Sequence, residues 1–322
     1  MILVTGATGF IGSHFVERAV ADGRGVRCLV RRTSSLTQLP PVVELAYGDL
    51  AQGAGLSEAL EGVDSVVHLA GVTKARTQAE YYRGNVEATA NLLKASGEVK
   101  RFVHVSSLAA AGPSKASQPV REDAVPHPVS HYGRAKLAGE QAVLRSAVRD
   151  RAVIVRPPVV YGPRDHDVFE VIRAVSKGWL LRIGTEERRF SLVYVMDLVE
   201  GLMAALDRQN VGGRTFFLAH AQAVSWDEFG AATARLLGRK LRTASVPPPL
   251  AYALGAGADW WTRVSGKPGI LSRDKVSEAC CEGWVCDPAL ASRDLGFCAA
   301  TGLEEGLRLT LDWYREAGWL RF

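Results

Sequence analysis

The sequence predicts an α/β fold: a doubly wound parallel sheet with a smaller, mainly helical C-terminal lobe. Three observations carry this. Short β-branched runs alternate with amphipathic stretches through the first half of the chain. The runs are apolar throughout, as strands covered on both faces must be. The first run ends directly in a glycine-rich turn that opens a helical pattern. Right-handed crossovers then wind the chain over both faces of one sheet.

The elements follow in order. Strands are predicted at 2–5, 26–30, 42–46, 65–69, 102–106 and 153–156. Between them, 10–21 sets Ile11, Phe15, Ala19 and Val20 near one helical face, and 81–95 and 132–148 are longer amphipathic stretches. After Pro163 helices dominate, at 168–177, 195–207, 226–237 and 303–317, with a short strand at 215–218. The stretch 246–257, which carries Pro247-Pro248-Pro249, reads as a Pro/Gly-rich connection. Trp226, Trp260, Trp261, Trp284, Trp313 and Trp319 concentrate in this half. Large rings dominate core burial, so most are expected in the core. The division this suggests is a dinucleotide-binding domain at 1–164, with the chain returning to it at about 190–220. A substrate-binding lobe would then comprise 165–189 and 221–322.

Composition narrows the function. The 322 residues are enough for one large or two modest domains, and such a chain needs no disulfide or metal staple. The formal charge of +5 is spread along the chain. No basic run is interleaved with aromatics, so nucleic-acid binding is not expected. Cys28, Cys280, Cys281, Cys286 and Cys298 are odd in number and scattered. They argue against a disulfide framework and for a reducing cytoplasm, and they lack the paired spacing of a zinc site. The N-terminus shows no charged leader, and the longest apolar stretch, 13 residues at 246–258, is too short to span a bilayer.

Thr5-Gly6-Ala7-Thr8-Gly9-Phe10-Ile11-Gly12 joins the first strand to the first helix. Gly6, Gly9 and Gly12 allow a tight turn, close approach of a pyrophosphate and close helix–strand packing. Free N–H groups at the helix start meet the phosphate charge. Thr8, Phe10 and Ile11 complete this turn. The second strand runs into Arg31-Arg32-Thr33-Ser34-Ser35, and residues 26–35 contain no acid. An acid here would bind a ribose 2′-hydroxyl, whereas arginines suit a 2′-phosphate. Arg31, Arg32 and Ser35 therefore point to NADP, with NAD as the alternative. Asp49 is placed to accept from an adenine amino group, though Asp after Gly48 also suits an ordinary turn. Ala70-Gly71 are small enough for a ribose to approach.

A second constellation lies further on. The strand at 102–106 runs into Ser106-Ser107, and Tyr132 and Lys136 share one helix face at i, i+4. A nearby ammonium favours tyrosinate, and an acid–base group works best near the operating pH. Ser107 can hydrogen-bond a substrate oxygen while Tyr132 moves its proton, and Lys136 can also hold the nicotinamide ribose.

As a set these motifs resemble the extended short-chain dehydrogenase/reductases of the broad NAD-dependent epimerase/dehydratase family, built on the Rossmann fold. The matching residues are 5–12, Asp49-Leu50, His68-Leu69-Ala70-Gly71, Asn85-Val86, Val105-Ser106-Ser107, Tyr132 with Lys136, and Arg156-Pro157-Pro158-Val159-Val160-Tyr161-Gly162-Pro163. The likeness continues through Asp197-Leu198 to Leu303-Glu304-Glu305-Gly306. It implies Ser107, Tyr132 and Lys136 as a catalytic trio, with the 25-residue interval from Ser107 to Tyr132 that the family pattern expects. It also implies cofactor contacts at Leu50, Leu69, Asn85, Val105, Pro157 and Val159, and a homodimer formed through the helices at 81–95 and 132–148.

The sequence departs from some subtypes. Members that dehydrate nucleotide sugars carry Thr-Asp-Glu where this chain has Ser107-Leu108-Ala109. Nucleotide-sugar enzymes tend to carry Asn at Val159 and often Arg at Phe190, although Arg188 and Arg189 are close by. The resemblance is nearer to the reductase-like, hydroxysteroid-dehydrogenase-like branch. The leading expectation is an NADP-preferring oxidoreductase acting on a secondary alcohol or ketone. The alternatives are a nucleotide-sugar 4-epimerase with tightly bound NAD and a non-catalytic dinucleotide sensor.

Overall fold

The structure, a computed structural model, describes residues 1–115, 118–265 and 272–320; the side chains of Trp260, Arg263 and Val264 lie outside that description. The strands are β1 (Ile2–Thr5), β2 (Val26–Val30), β3 (Glu44–Tyr47), β4 (Ser65–His68), β5 (Arg101–Val105), β6 (Ala152–Arg156), β7 (Val159–Tyr161), β8 (Trp179–Ile183), β9 (Arg189–Phe190), β10 (Leu192–Tyr194), β11 (Arg214–Phe217), β12 (Val224–Ser225), β13 (Arg242–Val246) and β14 (Gly283–Trp284). The helices are α1 (Phe10–Ala21), α2 (Leu56–Leu60), α3 (Gln78–Tyr82), α4 (Ala88–Ala95), α5 (Leu108–Ala111), α6 (His131–Leu144), α7 (Asp167–Ser176), α8 (Val195–Asp207), α9 (Trp226–Leu237), α10 (Pro248–Ser265), α11 (Arg273–Ala279), α12 (Ala289–Leu295) and α13 (Leu303–Glu316).

Seven parallel strands form the central sheet in the order β11-β6-β5-β4-β1-β2-β3. Ile2 pairs with both Val26 and Ser65, so β1 is central, and all four of its residues are buried. One face packs on α1, α8 and α12 through Phe15, Val16, Leu198, Leu202 and Leu295. The other packs on α2, α4 and α6 through Leu56, Leu92, Leu93 and Val143. A further core joins Tyr161, Phe229, Leu307 and Tyr314 across β7, α9 and α13. Strand order reverses between β1 and β4, and the crevice at that reversal is where such sheets hold ligands.

Several elements differ from expectation for identifiable reasons. β3 starts at Glu44 because Val43 N–H is spent on Pro40 O in a turn, leaving Val42 74% exposed. The helix expected at 81–95 is interrupted by a π-turn at Arg83–Glu87. There a Cβ on Gly84 would meet Val72 at 2.2 Å, so the loop after β4 crosses directly over the helix. α6 stops at Leu144, where Ser146 turns back onto Val143 O. The Pro/Gly-rich stretch is a strand end followed by the 18-residue helix α10. Pro248 and Pro249 occupy its first turn, where a missing N–H costs nothing. Trp226, Trp284, Trp313 and Trp319 are half-buried against the core rather than within it, Trp226 against Phe190 at 4.3 Å and Trp319 stacked on Tyr314 at 5.4 Å. Trp261, by contrast, is 62% exposed, and the Trp260 side chain lies outside the described residues.

Candidate active site

The glycine turn closes on backbone. Gly6 has φ +71°, and a Cβ there would lie 2.6 Å from Ala70 N. On Gly12 it would lie 2.1 Å from Gly6 O. Only glycine lets β1, α1 and the end of β4 meet this closely. Gly9 caps α1 without a side-chain hydrogen bond, and the first turn carries no acid. The helix therefore presents bare N–H groups and its positive end at the sheet's carboxyl edge. Thr8 is half-buried in the turn, and Phe10 and Ile11 pack towards the C-terminal core. This cradle fits a dinucleotide pyrophosphate.

Around it, Arg31, Arg32 and Ser35 are exposed beyond β2. Among the described residues neither arginine has a carboxylate partner; Arg32 lies over the Tyr47 ring at 5.5 Å. Ser35 hydrogen-bonds Thr37 at 3.1 Å. Asp49 Oδ1 accepts from Ala51 N–H at 2.8 Å and Gln52 N–H at 3.2 Å, and Leu50 O accepts from Asn91. One carboxylate oxygen of Asp49 thus caps its own turn. Leu69 and Ala70 sit over Thr5, whose carbonyl accepts from Leu69 N–H and whose hydroxyl accepts from Ala70 N–H. Asn85 lies in the π-turn and pins the next loop: its Oδ1 accepts from Val72 N–H at 3.1 Å and its Nδ2 donates to Val72 O at 2.9 Å. A Cβ on Gly71 would lie 2.8 Å from Asn85 Oδ1. Leu108 N–H donates to Pro157 O at 2.9 Å, and Val159 of β7 pairs with Leu192 of β10.

Ser107 caps the short helix α5, its Oγ accepting from Ala109 N–H. Ser130 caps α6 by accepting from Gly133 N–H at 2.9 Å, which places Tyr132 in the helix's first turn. A Cβ on Gly133 would meet Ala109 O at 2.3 Å, so this glycine lets α5 and α6 touch and brings Ser107 to Tyr132. Burial raises the Tyr132 phenol above its ordinary pKa, against a hydrogen bond from Ser107 and the positive charge of Lys275. Lys136 is buried and donates to Val105 O at 2.7 Å. Burial lowers it to about 8, with Glu140 acting in the opposite direction.

Sequence reasoning did not single out three contributors. Lys275, on α11, holds its ammonium 5.7 Å from the centre of the Tyr132 ring. Burial works against that cation, but Glu278 and the Tyr132 and Tyr81 phenols outweigh it, and its pKa rises. Tyr81 packs on Tyr132 at 6.2 Å between ring centres. Glu140 is buried beside Lys136 and binds the Arg156 guanidinium at 2.8 and 2.6 Å; Ser106 donates to the same carboxylate. Glu140 was detectable: Tyr132, Lys136 and Glu140 follow at intervals of four on one helix face. Lys275 and Tyr81 had no such signal, since the contact spans distant parts of the chain. A cavity of about 670 Å³ opens beside Tyr132, lined among others by Lys74, Tyr81, Arg134, Tyr252 and Lys275.

Residues 2–219 match the NAD dependent epimerase/dehydratase family. The chain is 32% identical over 324 residues to a ceramide reductase of Caulobacter vibrioides, covering 99% of this chain and 96% of that protein. It is 28% identical over 323 residues to the N-acetyl-alpha-D-glucosaminyl-diphospho-ditrans,octacis-undecaprenol 4-epimerase of Escherichia coli O157:H7, covering 97% and 94%. Among solved structures it superimposes on MoeE5 in complex with UDP-glucuronic acid and NAD, with a TM-score of 0.79, 30% identity and coverage of 98% and 99%. With the parallel sheet, the glycine cradle and these matches over nearly its whole length, the chain belongs to the NAD dependent epimerase/dehydratase family.

Proposed function

We propose that the protein is an NADP-preferring oxidoreductase that interconverts a secondary alcohol and a ketone. Tyr132 moves the proton, Ser107 orients the reacting oxygen, and Lys136 holds the nicotinamide ribose. The observation that carries this reading is the convergence of Ser107, Tyr132 and Lys136 where α5 and α6 touch, at the carboxyl edge of the sheet whose first strand opens into the glycine cradle. Nicotinamide, when bound, supplies the hydride chemistry; orientation and proton transfer are left to the protein. In reduction Tyr132 Oη gives its proton to the carbonyl oxygen, and in oxidation it takes the hydroxyl proton. Its raised pKa keeps the proton on Tyr132 at neutral pH, which suits reduction.

The exposed Arg31 and Arg32, without carboxylate partners among the described residues, support a 2′-phosphate on the dinucleotide. NAD, named with MoeE5, is the alternative. The Caulobacter ceramide reductase supports the ketone-reducing reading. The Escherichia coli relative supports a 4-epimerase, but the side chains near the second lobe argue against a nucleotide-sugar pyrophosphate. Phe190 is buried under Trp226, Arg188 donates to Ile183 O, and Arg189 is engaged by Glu187, Glu228 and Ala223 O. The dinucleotide-sensing reading would leave Tyr132 and Lys136 without a role. A homodimer through α4 and α6 is part of the proposal, with Leu144 of α6 44% exposed.

The test is Tyr132→Phe, together with mass spectrometry of any dinucleotide released on denaturation. The expected outcome is ketone reduction with NADPH lost by at least about 100-fold, the order of a missing general acid, with dinucleotide affinity nearly unchanged. Undiminished turnover would overturn the role of Tyr132. Near-stoichiometric NAD would overturn the NADP preference and favour the epimerase.

A further inference from the structure

Exposed apolar side chains are unevenly distributed over this molecule. Of the eleven large apolar residues exposed among the described residues, six lie on two adjoining elements: Trp179 and Leu181 on β8, and Leu250, Tyr252, Leu254 and Trp261 on α10. α10 has three faces. Ala251, Gly255 and Thr262 are buried, and a Cβ on Gly255 would meet the backbone at Arg273 at 3.0 Å, so this stripe packs on α11. Tyr252, Asp259 and Thr262 line the cavity beside Tyr132. Leu250, Leu254, Gly257 and Trp261 are exposed and follow at intervals of four, three and four, which makes one ridge along a helix of this length.

The ribbon of β8 and β13 adjoins the first turn of α10. β13 leads through Pro247 straight into α10, and a Cβ on Gly184, just past β8, would lie 3.8 Å from Pro248. Trp179 and Leu181 are two apart on β8 and share a face of that ribbon. Cations outnumber acids around the patch, whose acids are Asp259 on α10, paired with Arg273, and Glu186 and Glu187 beyond Gly184. Residues 177–184 and 235–258 contain no Asp or Glu, but carry Lys177, Arg182, Arg235, Arg239, Lys240 and Arg242. Arg182 is paired with Asp227 and Arg235 with Glu304. Lys177, Lys240 and Arg242 are exposed, with the Arg242 guanidinium over the Trp179 ring at 5.7 Å.

We propose that α10 and the β8–β13 ribbon form a docking face for an anionic lipid surface. Leucine and tryptophan on a helix ridge suit the boundary between headgroups and acyl chains, and flanking cations suit lipid phosphates. A second copy of this chain fits less well. A two-fold contact through the same patch would set the exposed Lys177, Lys240 and Arg242 of the two copies against each other. The contact is peripheral, since no described helix is long and apolar enough to cross a membrane. Because α10 also walls the cavity beside Tyr132, docking brings that cavity to the lipid, and the substrate becomes an amphiphile taken from the surface. This last step rests on the proposed role of Tyr132; the docking does not.

The experiment is co-sedimentation of the full chain with vesicles of phosphatidylcholine alone and of phosphatidylcholine mixed with phosphatidylglycerol. It is repeated with the double variants Leu254→Glu/Trp261→Glu and Lys240→Glu/Arg242→Glu, and with Tyr132→Phe. The wild-type chain is expected to bind the mixed vesicles and to be released by salt. Each double variant is expected to bind at least about tenfold more weakly, with thermal melts and dinucleotide binding unchanged. Wild-type protein that stays in the supernatant with mixed vesicles overturns the proposal, as do double variants that bind like wild type. So does light scattering that shows Leu254→Glu/Trp261→Glu dissolving a self-associated form that never binds lipid. Tyr132→Phe is expected to sediment like wild type, so a failure of the catalytic reading and a failure of the docking face give different results.

Discussion

At the scale of the residue, the environment of Tyr132 departs from the simplest picture of a tyrosine tuned by the lysine one turn away. Lys136 spends a hydrogen bond on Val105 O, and the positive charge that acts on the phenol is that of Lys275 on α11. Removing that charge as Lys275→Met takes away one influence that lowers the Tyr132 pKa and leaves Glu278, which raises it. The limb of the oxidation pH–rate profile that rises as Tyr132 loses its proton is expected to move up by about half to one unit. Lys275→Arg is expected to restore much of the original profile. An unchanged profile in Lys275→Met would show that solvent screens the pair.

Among the elements, α6 matters most, because it carries Tyr132 and Lys136 and is held at both levels of its buried face. Its first turn is tied to α11 by His131 N–H donating to both oxygens of Asp274. Two turns on, Glu140 is locked between Arg156 at the end of β6 and Ser106 at the end of β5. Glu140→Gln leaves the Arg156 guanidinium buried without its counter-charge. The expected cost is about 3–5 kcal/mol, read from urea denaturation. Pairing it with Arg156→Met is expected to recover a large part of that loss, because the uncompensated charge is then gone. The broken helix around Asn85 belongs to the same scale. Its π-turn lets Asn85 hold the Val72 backbone, a geometry that an uninterrupted amphipathic pattern does not announce.

Over the whole molecule, two neutral histidines are buried in the central sheet. His68 bridges Thr5 and Thr89 at 2.7 and 2.9 Å. His104 lies beside it at 5.4 Å, with neither ring nitrogen hydrogen-bonded to a described residue. Burial lowers His68 to about 3, helped by the charge of Lys136, and lowers His104 well below its ordinary value. Unfolded histidine takes its proton near ~6.5. The folded chain therefore keeps the full contribution above that pH and loses it as the pH falls towards about 3. The expected decline is about 1.4 kcal/mol per pH unit for His68 alone. Urea midpoints measured between pH 7.5 and 4.5 check it, and His68→Gln is expected to flatten the slope by about one proton. Equal slopes in the two proteins would remove His68 from the account.

The parallel sheet was legible because its strands are buried on both faces and therefore apolar throughout. β1, β2, α1, α8 and α9 have the bounds the pattern predicts. The glycine turn was legible because backbone packed as tightly as Gly6 on Ala70 leaves no room for a side chain. Tyr132, Lys136 and Glu140 lie on one helix and share its period. What distant segments bring together was not legible: Lys275 against Tyr132, the cavity between α10 and the loop after β4, and the fate of each tryptophan ring. The exposed ridge of α10 is the sharpest case. Its prolines and glycines read as a connection, whereas the fold makes them a helix whose packed stripe is set by α11. Local pattern records which face of an element avoids water; only tertiary packing decides what covers that face, and which face stays uncovered.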